Sequence, residues 1–254
     1  MKFILLGSGK IAEFFIRVFV EEAPTSLQMC GMVASDNVNV IFSEVNKVSD
    51  YLFIPISYEK KNEEEVLKLI EKTNPDFILS IQYPWILSQL ILSSVAGRIL
   101  NLHNAKLPEY RGHNTISHEI LNCEKEHTTT LHWMDAEVDR GRVVLSENIP
   151  INSDDTAFSL WKRSVDASLG MLKVFQENFE KIVGEFDGKC VEMGGNYYSK
   201  NSINQLKEIP ANSSPEEIDK ISRAFWFPPH EPAYIKNGKR RLYILPNNYQ
   251  YIHD

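Results

Sequence analysis

From its second residue the chain alternates short apolar runs with amphipathic segments, and that alternation restricts the fold more than any other feature. Lys2 to Leu6 is strand-like, Gly7-Ser8-Gly9-Lys10 turns, and Ile11 to Glu22 repeats apolar residues at helical spacing in Ile11, Phe14, Phe15, Val18 and Phe19. Met29 to Ala34 is a second apolar run. From Tyr51 the pattern returns, with Leu52 to Ile56, a charged helical segment from Glu63 to Lys72, and a buried strand in Phe77-Ile78-Leu79-Ser80-Ile81. Strands joined by helices need crossover connections, which set neighbouring strands parallel and cover both faces of the sheet. The expected class is α/β, a doubly wound, mostly parallel sheet.

In an open sheet of this kind ligands bind beyond the carboxyl ends of the strands. Arg98 to His103 reads as a strand whose polar residues come at its end, and Pro108, Gly112 and Gly141 force the chain beyond it out of regular structure. Asn101 and His103 are two apart, so their side chains point to the same side. Histidine is the side chain suited to moving a proton near neutral pH, and Asp139, on an Asp-x-Gly turn, can orient and polarise it. Singly these are a capping asparagine, a core histidine and a turn aspartate. Together they form a proton-handling set that needs neither metal nor covalent nucleophile.

Other patterns are set against that one. Gly7-x-Gly9-x-x-Ala12 satisfies a dinucleotide-binding pattern, but Asp36 lies further along than the usual ~20 residues for a ribose acid. The preferred reading is that Ser8, Gly9 and Lys10 face a phosphate at a helix N-terminus; a solvated surface lysine is the alternative for Lys10. Gln82-Tyr83-Pro84-Trp85 follows a strand at the same edge as His103. It reads either as a loop against which a flat heterocycle packs or as an aromatic lid over core. His118-Glu119 lacks the second histidine of a zinc helix, no Gly-x-Ser-x-Gly elbow occurs, and no metal is expected. Lys236, Lys239, Arg240 and Arg241 read as a solvated sheet edge.

Composition narrows the partners. With 254 residues, 43% of them hydrophobic, the chain has one substantial core and a small appendage. The expected division is a catalytic domain over 1–185 and a small C-terminal region over 186–254. In the first, Asn152-Ser153-Asp154-Asp155 caps a long helix bearing Phe158, Leu160, Trp161, Val165, Leu169, Leu172 and Phe175. The second holds a polar aromatic loop from Gly194 to Lys200, a short helix opened by Ser214-Pro215-Glu216-Glu217, an irregular segment from Phe225 to Ala233, and a hairpin turning at Asn237-Gly238. A net charge of -7 offers no footprint for nucleic acid. Three cysteines without zinc-site spacing suit a reducing compartment. No apolar run reaches the ~18 to 20 residues of a membrane span, and the N-terminal run is too short for a signal peptide. The expectation is a cytoplasmic enzyme without membrane contact, with hairpin edges suited to a homodimer.

Asn101-x-His103, Leu107-Pro108-x-Tyr110-Arg111-Gly112 and Asp139-x-Gly141, in that order, resemble the active-site motifs of the formyltransferase family that uses N10-formyltetrahydrofolate. Asp155 to Leu160, Tyr197-Tyr198, Arg223-Ala224-Phe225 and Phe227-Pro228-Pro229 extend the resemblance to the nucleotide-sugar N-formyltransferases of surface-polysaccharide pathways, the GDP-perosamine and dTDP-amino-sugar types. Two departures are Asn104-Ala105-Lys106, where Pro-Ser-Leu is usual, and Thr129 in place of a glycine.

The resemblance implies a Rossmann-like formyltransferase fold and transfer of a formyl group from N10-formyltetrahydrofolate to the amine of a nucleotide-diphosphate amino-dideoxy sugar in O-antigen biosynthesis. It implies that Asn101, His103 and Asp139 are catalytic. It puts the reduced folate between the loop with Gln82, Tyr83, Trp85 and Leu87 and the turn with Asp135, Ala136 and Asp139. Tyr110, Arg111, Tyr197 and Tyr198 join Ser8, Gly9 and Lys10 on the nucleotide side. Asn101 and protonated His103 can donate to the developing oxyanion, or His103 can take the amine proton; the sequence leaves both open. Methionyl-tRNA formyltransferase shares the triplet but needs a basic tRNA-binding extension, and a glycinamide ribonucleotide enzyme explains the core without the C-terminal region.

Overall fold

Lys2–Gly7 is apolar after its first residue, and in the computed structural model it forms an inner strand, β1, buried from Phe3 onward. The structure describes residues 1–22, 24–36, 38–39, 52–56, 59–135, 139–188 and 194–247. Beside β1 run β2 (Gln28–Ala34), β3 (Leu52–Pro55), β4 (Phe77–Ile81) and β5 (Ile99–His103). With β7 (Glu126–Trp133) and β8 (Val143–Pro150) they make a seven-stranded sheet in the order β3-β2-β1-β4-β5-β7-β8. Every pair from β3 across to β5 is parallel, and β7 joins β5 antiparallel. The mostly parallel α/β sheet expected from the alternation is the observed one.

Both faces of the sheet are covered, as a doubly wound arrangement requires. Alternate residues of β1 point opposite ways. Phe3 stacks on Phe77 with ring centroids 5.4 Å apart and meets Phe19 of helix α1 (Gly9–Glu22) edge-on at 5.3 Å. Ile4 and Leu6 join a cluster with Val66, Leu69 and Ile70 of α2 (Glu63–Thr73) and with Ile91 and Leu92 of α3 (Gln89–Ser94). Truncating a ring such as Phe3 to alanine in a core of this kind costs about 3–5 kcal/mol. In α1 the buried stripe is Ile11, Ala12, Phe15, Ile16 and Phe19, while Phe14, predicted to belong to it, turns outward. The stripe is one i, i+4, i+8 row with its neighbour row, and Phe14 falls beyond their edge.

Two compact units divide the chain. The first comprises Met1–His103, Thr129–Glu147 and Ala167–Gly194; the second comprises Asn104–Thr128, Asn148–Asp166 and Gly195–Asp254. In the second, helix α4 (Thr115–Leu121) packs on helix α6 (Pro215–Ala224); the long α5 (Ala157–Gly184) lies between them in sequence and belongs to the second unit as far as Asp166 and to the first from Ala167. Helix α6 opens with the predicted cap: the Ser214 hydroxyl accepts from the Glu217 amide and the Glu217 carboxylate accepts from the Ser214 amide. The predicted hairpin is β10 (Tyr234–Asn237) paired with β11 (Arg240–Tyr243). A further parallel pair, β6 (Tyr110–Gly112) and β9 (Asn196–Tyr198), stands where the sequence suggested only turn and loop. Each strand has three residues, too few to display alternation, and the partner lies far along the chain.

Cys30 and Cys123 are free thiols, and Cys190 lies outside the described residues. Among the described residues no helix is long and apolar enough to cross a membrane.

Candidate active site

At the carboxyl end of β5 the sheet register does the assembling. Asn101 is paired with His132 of β7 and His103 with Thr130, so all four occupy one face of the sheet. Asp139 arrives from the turn after β7. Its backbone is left-handed, with φ of 53°, a conformation aspartate tolerates better than most residues. Gly141 lets this turn lie against β7, because a Cβ there would fall 1.4 Å from the carbonyl oxygen of Trp133. The Asp-x-Gly spacing is thus a steric requirement as well as a chemical one.

Asp139 stands between two imidazoles. Its Oδ2 is 3.6 Å from His103 Nδ1, and its Oδ1 is 3.6 Å from His132 Nε2. The His103 and Asp139 side chains are only 12% and 10% exposed, so the carboxylate acts on the ring through little water. Asn101 Nδ2 lies 3.1 Å from His132 Nε2. Burial pushes the pKa of His132 down to about 4, with His103 lowering it further and the Asp139 charge opposing. At neutral pH one imidazole here is therefore an uncharged fixture. His132 has no counterpart among the residues singled out from the sequence. The alternation Thr128, Thr130, His132 marks it as lying on the polar face of its strand, but only the antiparallel register brings it to Asn101.

The loop after β4 lies in the same unit. Gln82 is left-handed, with φ of 55°, and its Oε1 accepts from the Ile11 amide at 3.3 Å, while its carbonyl accepts from the Ser8 hydroxyl. Gly9, with φ of 68°, accommodates that carboxamide: a Cβ would sit 2.7 Å from Gln82 Oε1. The first turn of α1 thus takes a polar partner from Gln82, and Lys10 pairs with Glu13 at 3.1 Å on the surface. Tyr83 and Trp85 are half-buried, and burial raises the Tyr83 hydroxyl to about 12. Leu87 is buried in the core, whereas Ile86 and Leu90 are 59% and 60% exposed. An apolar surface such as this beside polar groups suits a flat heterocycle. Asp135 is half-buried, and Ala136 lies outside the described residues.

Tyr110, Arg111, Tyr197 and Tyr198 gather in the second unit on β6 and β9. Tyr110 donates to Glu124 at 2.8 Å and accepts from Asn122 at 3.0 Å, and burial raises its pKa. Tyr198 stacks with Tyr110 at 5.4 Å and with His118 at 4.0 Å, so its ring is packed. Tyr197, 50% exposed, keeps a ring open to a ligand. The buried Arg111 donates to the Gly195 carbonyl at 3.1 Å, and among the described residues it has no carboxylate partner.

A formyl transferase family model matches residues 24–173, a span that contains Asn101, His103, His132 and Asp139. The chain is similar to the GDP-perosamine N-formyltransferase of Brucella melitensis biotype 1, at 32% identity over 187 residues, 73% of this chain and 70% of that one. Its fold is similar to the X-ray structure of a sugar N-formyltransferase from a Shewanella species, with a TM-score of 0.74 at 18% identity, covering 99% of both chains. It is also similar to the N-formyltransferase of Helicobacter canadensis crystallised with folinic acid and dTDP-3-aminofucose, with a TM-score of 0.61 at 21% identity, covering 89% of this chain and 81% of that one.

Proposed function

Because this chain belongs to the formyl transferase family, we propose that it moves a formyl group from N10-formyltetrahydrofolate to the amine of a nucleotide-linked amino-dideoxy sugar. The observation that carries this reading is the meeting of Asn101, His103 and Asp139 at one sheet edge, in a chain that shares 32% identity with an enzyme named for a sugar nucleotide. Gln82, Tyr83, Trp85 and Leu87 with Asp135, Ala136 and Asp139 hold the folate; the exposed Ile86 and half-buried Trp85 fit a pterin ring. From the sequence reading, Ser8, Gly9, Lys10, Tyr110, Arg111, Tyr197 and Tyr198 are assigned to the nucleotide. Within that set Tyr197 offers the stacking face, Tyr198 is packed against Tyr110 and His118, and the Arg111 guanidinium, without a carboxylate partner among the described residues, supplies the charge a diphosphate requires.

Bound there, the folate supplies the formyl carbon and a nitrogen leaving group. The amine of the sugar must arrive uncharged; as its nitrogen bonds the formyl carbon, the carboxylate within ion-pair range of His103 lets that ring take the proton the amine gives up and pass it to the folate nitrogen as the bond between that nitrogen and the formyl carbon breaks. Asn101 donates to the oxygen on which negative charge develops. Asp139 keeps Nδ1 of His103 protonated, which leaves Nε2 to work on the substrate side. The separation of 3.6 Å is long for a hydrogen bond, as is common before substrate closes a site.

The reaction belongs to the synthesis of surface-polysaccharide (O-antigen) precursors, in the cytoplasm. The chain acts there as a homodimer joined along the β10–β11 hairpin, whose Leu242 and Tyr243 are 50% and 52% exposed. The test is mass spectrometry of products formed from N10-formyltetrahydrofolate and a panel of GDP-, dTDP- and UDP-linked amino sugars. One member should gain the mass of a formyl group. Transfer only to methionyl-tRNA or glycinamide ribonucleotide, included as control acceptors, would assign the chain to another branch of the family.

A further inference from the structure

We infer that His132 is a positioning residue whose unprotonated Nε2 fixes the orientation of the Asn101 carboxamide and, offering Asp139 no proton, leaves that carboxylate to bond His103. The inference rests on the proposed catalytic set, on which His132 acts from outside. His132 Nδ1 lies 2.9 Å from the carbonyl oxygen of Trp133. A carbonyl only accepts, so Nδ1 carries a proton. The ring is 1% exposed, and burial disfavours a second proton. Nε2 is then a bare lone pair.

Two consequences follow at the atoms it faces. Asn101 approaches Nε2 at 3.1 Å, and only an amide N–H makes that contact favourable; the carbonyl end would set lone pair against lone pair. The buried acceptor therefore decides which way the carboxamide lies. Its second N–H has no other partner among the described residues and is left to donate to substrate. Asp139 Oδ1 stands 3.6 Å from the same Nε2. A bare Nε2 gives that oxygen no proton to accept, so of the two rings at 3.6 Å only His103, through Nδ1, can hydrogen-bond the carboxylate. One neutral ring thereby sets the oxyanion donor and reserves the carboxylate for the ring that moves the proton.

The direct test is nitrogen-15 NMR of the histidine rings in the whole protein, with His132 assigned by comparison with His132→Asn. His132 should carry its proton on Nδ1 alone throughout the neutral range; a proton on Nε2, or an imidazolium at pH 7, overturns the inference. This arm needs no substrate, so it stands apart from the functional proposal, which fails by itself if no amino-sugar nucleotide is formylated.

The kinetic arm uses N10-formyltetrahydrofolate with the GDP- or dTDP-linked amino sugar that the wild type turns over. His132→Gln sets an amide oxygen near the Nε2 position and should keep kcat within about threefold. His132→Asn keeps a donor for the Trp133 carbonyl but offers Asn101 no acceptor, and should lower kcat about 10- to 100-fold with both KM values unmoved. Equal losses in the two variants, or a loss carried by KM, would reduce His132 to a packing role.

Discussion

His127 and Glu119 meet at 2.6 Å with neither side chain exposed, whereas His103 and Asp139 stand 3.6 Å apart with side chains 12% and 10% exposed. The first pair joins a helix to a strand inside the second unit and is sealed from water. The second joins the end of a strand to a left-handed turn in the first unit and stays reachable. Contact and enclosure make a brace, because removing either partner leaves a buried polar group alone. Slack and access make a site that can change its proton count during a reaction. The same two chemical groups, an imidazole and a carboxylate, thus divide into structure and chemistry by how each is held.

The largest effect expected from this contrast is kinetic. His103→Ala or Asp139→Ala should lower formyl transfer about 10²- to 10⁴-fold with a melting temperature close to wild type, measured by product formation and calorimetry. Next comes the sealed pair. Glu119→Ala or His127→Ala should lose about 3–5 kcal/mol in denaturant titrations, while the molecules that remain folded keep their kcat. A Glu119→Ala protein that melts normally yet fails to transfer formyl groups would break the contrast outright.

A third expectation concerns acid. The native pKa of His132, about 4, lies below the value near 6.5 of an unfolded histidine, so the unfolded chain takes up the proton first. Stability is fully present above about pH 6.5 and falls by roughly 3 kcal/mol as the pH drops toward 4. Denaturant titrations across that window should show a shallower loss in His132→Asn. The smallest effect separates the neighbouring tyrosines. Tyr197→Ala should raise the KM for the nucleotide sugar about tenfold without moving the melting temperature, and Tyr198→Ala should instead lower the melting temperature.

Much of the frame could be read from the chain because local pattern and tertiary role agree there. The apolar run Lys2–Gly7 is buried strand, and Ser214-Pro215-Glu216-Glu217 caps a helix. The i, i+2 spacing of Asn101 and His103 does place them on one face. What was missed depends on register or distance. His132 reaches Asn101 only because β7 runs antiparallel to β5. The β6–β9 pair is invisible because three-residue strands carry no period. Gln82 reads as a loop residue, yet its carboxamide reaches the first turn of α1, a contact that loop composition does not encode.

The most direct trial of the account follows one atom. With carbon-13 in the formyl group of N10-formyltetrahydrofolate and an amino-sugar nucleotide that supports turnover, the labelled signal should move from the folate to an amide on the sugar in the wild type. It should stay on the folate when Asp139→Asn or His103→Ala replaces it. Transfer at the wild-type rate in both variants would contradict the claim that this carboxylate and imidazole carry the reaction.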